Sequence, residues 1–224
     1  MTPLRQGAGT VLRDDRPDAM TPPAATSART KRLARAEARR RIALGVVEEL
    51  RLLDRWRPYG EPVLVGSVPL GLVVRPDIDL DVYADAPAVR HGFEVVAALA
   101  ELPKVRSCSY LDLRDSGEGG LYWKVDYELT PEETWAIDMC LFASDRPGPI
   151  AAPLTRAVGA ALTDDLRDTI LRIKEEAMSV DQRAHGPWLY QAVFQGVAST
   201  YADYVAWLGD QDVYERSGWL PTPP

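Results

Sequence analysis

The chain has 224 residues and a mass of 24.8 kDa, with 46% hydrophobic residues, 26% charged residues and a net charge of −7. That length supports one good core plus a small second domain. The acidic balance, with an isoelectric point near 5.0, disfavours a protein whose main task is holding a long nucleic-acid backbone. No apolar run is long enough for a membrane span, and residues 1–28 contain no apolar signal core, so a cytoplasmic rather than a secreted protein is expected. Two cysteines, Cys108 and Cys140, and two histidines argue against a Cys/His zinc site and give no support for a disulfide scaffold.

Residues 1–28, rich in Pro, Ala and Thr, read as a disordered leader. From Thr30 to Trp56 the pattern is helical, with Ile42, Val46, Leu50 and Leu53 as its apolar stripe, and Pro58 and Gly60 end it. Residues 31–57 hold nine Lys or Arg against four acids; the arginines at 39–41 give the helix either a wet face or a contact with a polyanion. A short apolar run, Val63–Val65, stops at Gly66-Ser67. After a Gly/Pro-punctuated stretch, Ile78, Leu80 and Val82 alternate with Asp79, Asp81 and Tyr83, the period of a strand with one buried face.

Ala88–Leu102 reads as a helix, and 105–113, 121–128 and 134–142 as three strands separated by turn residues. These elements predict an α+β domain over 29–146 with a mixed sheet of about five strands. Pro147, Pro149 and Pro153 mark a boundary, beyond which a small helical domain is expected over 155–218. Thr163 caps one helix with the stripe Leu166, Ile170, Ile173 and Ala177. A second helix is expected from Pro187 to Leu208, its ridge formed by Tyr190, Phe194, Val197, Tyr201, Tyr204 and Leu208. That ridge serves core packing, an acceptor wall or a homodimer contact.

The stretch that carries chemistry is Gly66-Ser67, eleven residues, then Asp79-Leu80-Asp81-Val82. Carboxylates at i and i+2 of a strand point the same way and repel unless a positive charge sits between them. Magnesium, which takes oxygen ligands from one or two carboxylates and from substrate phosphates, is the natural solution. A Gly-Ser turn directly after a strand lets backbone and hydroxyl approach a phosphate closely. Asp138, between Ala136 and Cys140, is the candidate third acid; Asp126, on a strand face shared with Tyr122, Lys124 and Glu128, is its competitor.

These residues resemble the signature of the nucleotidyltransferase superfamily, the fold of polymerase beta and of small antibiotic-modifying nucleotidyltransferases. Gly66 and Ser67 match its turn, Asp79 and Asp81 its metal pair, and Asp138 its later acid. The resemblance covers about residues 60–142. Val68-Pro69-Leu70 and Arg75-Pro76-Asp77 depart from the pattern common in small members. It implies that Asp79, Asp81 and Asp138 hold Mg2+ or Mn2+. It also implies that a nucleoside monophosphate passes from an NTP such as ATP to a hydroxyl or phosphate of a small-molecule acceptor, an antibiotic among the candidates.

Gly66, Ser67, Arg75 and Lys124 are the candidate nucleotide contacts, Arg75 pairing either with phosphate or with Asp77. Lys174 and His185 read as surface and loop residues, and Cys140 as packing in the sheet. Two alternatives stand beside this reading: transfer to RNA or protein, supported by the basic helix, and a catalytically silent, antitoxin-like member that binds nucleotide or a partner.

Overall fold

The computed structural model describes residues 23–117, 119–146, 151–213, 215 and 218–222. Residues 1–22 and the prolines at 147 and 149 lie outside the described residues, as does part of the boundary segment. Of the leader expected over 1–28, residues 23–28 are described and belong to the first helix, which starts before the expected Thr30. Helix α1 (Pro23–Glu49) is followed by a one-turn helix α2 (Leu52–Trp56). The single helix expected to Trp56 breaks at Arg51, whose φ of 50° lies in the left-handed region and redirects the chain. The apolar face of α1 also differs from expectation. Ala43, Val46, Val47 and Leu50 are buried, while Ile42 is exposed, because the buried face of the helix runs on from Ala36.

Five strands follow the expected order: β1 (Glu61–Val65), β2 (Asp77–Ala84), β3 (Val105–Asp112), β4 (Leu121–Thr130) and β5 (Glu133–Ala143). They form one mixed sheet in the order β1-β2-β5-β4-β3, with β2 and β5 parallel and the other pairs antiparallel. The α+β class expected from the pattern is therefore the observed one.

Period-two alternation gives the sheet two unlike faces. Ile78, Leu80 and Val82 of β2, Trp123, Val125 and Tyr127 of β4, and Trp135, Ile137 and Met139 of β5 are all buried on one face. Helix α4 (Val89–Ala100), through Val95, Val96 and Leu99, and the end of the α1–α2 segment, through Leu50 and Trp56, pack in the same core. Each such large side chain contributes about 1.5–3 kcal/mol by leaving water. The opposite face carries the polar alternates: Asp79, Asp81 and Tyr83 on β2, Asp138 and Cys140 on β5, Tyr122, Lys124 and Asp126 on β4.

Between β1 and β2 a four-residue helix, α3 (Ser67–Leu70), occupies what read as loop. After β5 come α5 (Ala151–Ala161), α6 (Asp164–Ser179), α7 (Gly186–Phe194) and α8 (Tyr201–Leu208). Helix α6 starts where expected, with the Thr163 hydroxyl accepting the Leu166 N–H at 3.3 Å. The helix expected over 187–208 is two helices. Gly196 turns the chain at φ 70°, and Thr200 and Asp203 form a reciprocal capping box that starts α8 afresh. Val197, expected on the ridge, is consequently exposed. These helices share a second core with Ala36 of α1 and with Leu70, Leu72 and Val74 from the segment joining β1 to β2.

Part of the basic face of α1 is used inside the fold, while Lys31, Arg35 and Arg41 remain exposed. Arg32 bridges Asp168 at 2.5 Å and Glu175 at 3.2 Å on α6, with all three side chains largely buried, and Arg35 adds a second bond to Glu175. Arg39 reaches Glu133 at the start of β5. Among the described residues no helix is long and apolar enough to cross a membrane.

Candidate functional site

The Gly-Ser turn stands directly against the first acid of the expected metal pair. Gly66 has φ 68° and ψ −138°, a conformation that residues with a Cβ avoid, and a Cβ there would lie 2.5 Å from Asp79 Oδ2. Its N–H donates to the Thr155 hydroxyl of α5 at 3.0 Å. Ser67 follows as the first residue of α3 and is buried.

Three cations from two helices close on the carbonyls of this segment. Arg40 of α1 donates to Val68 O at 3.1 Å, Arg167 of α6 donates to Leu70 O, and Lys174 of α6 donates to Leu72 O at 3.0 Å. Val68 O also accepts the Gly71 N–H at 3.2 Å, so Arg40 adds a second bond there, while Arg167 and Lys174 supply donors to carbonyls at the end of the short helix and in the turn after it. The arginines at 39–41 therefore include one whose task is to hold the turn.

Strand register gathers the acids. Asp79 is paired with Val65 of β1 on one side and with Asp138 of β5 on the other. Asp81 is paired with Cys140, and Asp138 with Lys124 of β4. Asp126 stands one step away, opposite Ala136, and is held by Ser107 at 2.5 Å and Lys124 at 3.5 Å. Asp138 is thus the acid in register with Asp79, while Asp126 belongs to the polar surface between β3 and β4.

The electrostatics follow from this crowding. The Asp79 carboxyl is pushed up to about 7, first by burial and then by the negative charges of Asp77 and Asp138, with Arg183 and Lys174 pulling partly the other way. Burial lowers the Lys174 ammonium, against the attraction of Asp77 and Asp79. Burial also raises the Tyr190 hydroxyl of α7, aided by the charges of Asp79 and Asp77. Lys174 is therefore no ordinary surface residue. It brings the charge of α6 to the acids, as Tyr190 brings an aromatic ring from α7.

Two phenols hold the outer acids. Tyr83 donates to Asp81 Oδ2 at 2.7 Å and Tyr122 donates to Asp138 Oδ1 at 2.5 Å. Each bond engages one carboxylate oxygen: Oδ2 of Asp81 from within β2, and Oδ1 of Asp138 from the neighbouring β4. Among the described residues no group of three or more His, Cys, Asp or Glu side chains converges as a metal-ion site. The donor set is nevertheless all carboxylate oxygen, the chemistry that suits a hard cation such as Mg2+.

Arg75 points elsewhere than either sequence alternative. It donates to the Gln182 carbonyl at 2.7 Å in the connection between α6 and α7, and Asp77 pairs with Arg183 at 2.7 Å. His185, read as a loop residue, occupies the N-cap position of α7, where burial and the nearby Arg183 lower its pKa. Sequence reasoning missed Lys174, Arg183 and Tyr190 as neighbours of the acids. They lie about a hundred residues downstream and reach the site only through the packing of α6 and α7 beneath the β1–β2 connection.

No family model matches the sequence, and no curated protein matches it. Among solved structures, the chain is similar to two of the Cid1 poly(U) polymerase, one bound to magnesium and 3′-dATP and one to magnesium and GTP. The first aligns with a TM-score of 0.55 at 17% identity, covering 79% of this chain and 55% of that one. The second aligns with a TM-score of 0.56 at the same identity, covering 79% and 56%. The chain thus spans a little over half the length of these solved chains. At that identity the likeness is one of fold: the fold resembles that of the Cid1-like nucleotidyltransferases.

Proposed function

We propose that this chain is a metal-dependent nucleotidyltransferase that moves a nucleoside monophosphate from an NTP to a hydroxyl or phosphate of a small-molecule acceptor. The observation that carries the reading is the contact of the Gly66-Ser67 turn with Asp79, in register with Asp138. A rigid sheet then holds a phosphate-receiving turn and two acids side by side. Asp79, Asp81 and Asp138 would hold Mg2+ or Mn2+, which when bound supplies positive charge against the triphosphate and the developing negative charge.

The chain's own groups do the rest. The Gly66-Ser67 turn receives the triphosphate, and the carbonyl clamps from Arg40, Arg167 and Lys174 keep that turn from shifting as it does so. Lys174, already interacting with Asp77 and Asp79, adds a cation beside the phosphates. Lys124, opposite Asp138 on β4, would add a second cation against the polyphosphate. The acceptor oxygen gives up its proton to solvent and attacks the α-phosphorus, the bond from that phosphorus to the α,β-bridging oxygen breaks, and pyrophosphate leaves with that oxygen.

RNA as acceptor draws on the likeness to a poly(U) polymerase, but the basic helix that supported it uses Arg32, Arg35 and Arg39 in ion pairs with this chain's own acids. A small acceptor is the better reading. A protein acceptor or a silent, nucleotide-binding member are the outcomes a negative screen would favour.

The test is pyrophosphate release from each of the four NTPs with Mg2+ or Mn2+ and pooled acceptors, for the wild type and for folded Asp79→Asn and Asp81→Asn. Release that both variants lose is expected. Undiminished release in either variant defeats the proposed roles.

A further inference from the structure

Two hydroxyls touch the acid cluster and play no part in the reading above. Tyr83 stands two residues after Asp81 on β2, so both side chains share one face of the sheet, and its phenol donates to Asp81 Oδ2 at 2.7 Å. The Phe142 ring stacks against it with centroids 6.1 Å apart, and the Ala152 N–H at the start of α5 donates to the same phenol oxygen. With an N–H arriving from α5, the phenol proton is directed to Asp81. Tyr122, on β4, reaches across to Asp138 Oδ1 at 2.5 Å from a backbone position opposite Cys140. A phenol hydroxyl is an O–H donor at neutral pH, so each stands as a donor to its carboxylate.

We propose that Tyr83 and Tyr122 are positioning residues of the acid cluster: each phenol takes up one oxygen of its carboxylate, and the remaining oxygen is the one that ligates the divalent cation. This deepens the reading above and rests on it. A carboxylate has about four acceptor positions, so one phenol bond does not bar ligation. What the bond does is select one orientation of a short side chain that would otherwise turn to relieve repulsion from its neighbours. Groups that fix a ligating carboxylate in this way are typically worth about 10–100-fold in metal affinity or activity. The sequence could have drawn attention to Tyr83, whose i+2 spacing from Asp81 puts it on the acid face; Tyr122 becomes visible only with the β4–β5 register.

The experiment uses the full chain with Mn2+ alone as probe, titrated with the unbound ion followed by electron paramagnetic resonance. Wild type is compared with Tyr83→Phe, Tyr122→Phe and Asp79→Asn, each checked for a cooperative thermal transition. Each Phe variant is expected to bind Mn2+ about 10-fold more weakly. In turnover each should need about 10-fold more Mg2+ for half-maximal rate, with kcat recovered at saturating metal. A purely structural loss lowers the melting temperature without that split. If one variant fails to fold, the other, on a different strand, decides the matter. Wild-type or tighter Mn2+ binding in the folded Phe variants, with binding lost in Asp79→Asn, overturns this inference and leaves the metal reading standing. No Mn2+ uptake by wild type, with or without NTP, overturns both.

Discussion

Asp79→Asn should make the metal-free protein more stable at pH 8 while abolishing transfer. In the folded chain the Asp79 carboxyl is pushed up to about 7 by burial and by the charges of Asp77 and Asp138, against a reference of 3.8. At about 1.4 kcal/mol for each tenfold in proton affinity, ionised Asp79 costs the fold about 4 kcal/mol at most. Asp79 is half-buried and its surroundings relax around the charge, which reduces this to roughly 2 kcal/mol. The direction of the pH dependence follows from proton counting. Below pH 4 both folded and unfolded states hold the proton and the penalty is absent. Between 4 and 7 the folded state binds more protons, so wild-type stability falls as pH rises, and above 7 the whole penalty is present. Asparagine keeps the shape and removes the charge. Urea unfolding in EDTA should therefore show little difference between variant and wild type at pH 4, and a variant more stable by roughly 2 kcal/mol at pH 8. A variant no more stable than wild type at pH 8 refutes the electrostatic account of the site.

Two further outcomes follow from the turn and its clamps. Gly66→Ala places a methyl group against Asp79 Oδ2 in a backbone region that only glycine adopts readily. It should lose roughly 2–4 kcal/mol in urea unfolding, from backbone strain and overpacking together, and a loss below about 0.5 kcal/mol would show that the turn relaxes. Lys174→Met keeps an unbranched apolar stem and removes the ammonium that donates to Leu72 O and acts through space on Asp77 and Asp79. Steady-state kinetics should show at least about a tenfold rise in KM for NTP, the size expected when a charge-assisted contact is lost. An unchanged KM removes Lys174 from the phosphate site.

Much of the sheet and of its acid-bearing face was legible because both obey period two. The alternation around Asp79 and Asp81 and the apolar alternates of β4 and β5 state which face is buried, and the glycines at 117, 119 and 120 mark the turn between β3 and β4. The break at Thr200 was legible in principle: Thr200 and Asp203 have capping-box spacing, but the aromatic ridge running through them hid it. The break at Arg51 carries no such signal, since a left-handed arginine has no sequence signature. Arg40, Arg167 and Lys174 were beyond reach for another reason. Their carbonyl partners are backbone atoms of residues 68, 70 and 72, and side-chain pattern says nothing about which carbonyls a distant cation will meet.

Helix α1 lends residues to both cores. Ala36 packs with α5 to α8, while Ala43, Val46 and Leu50 pack under the sheet, and Arg32 and Arg39 pin the same rod to α6 and to β5. A splint of this kind makes the two halves melt together rather than one after the other. It also resists scissoring between the Gly-Ser turn and α6, so the geometry around Lys174 is set when the chain folds rather than when a substrate arrives.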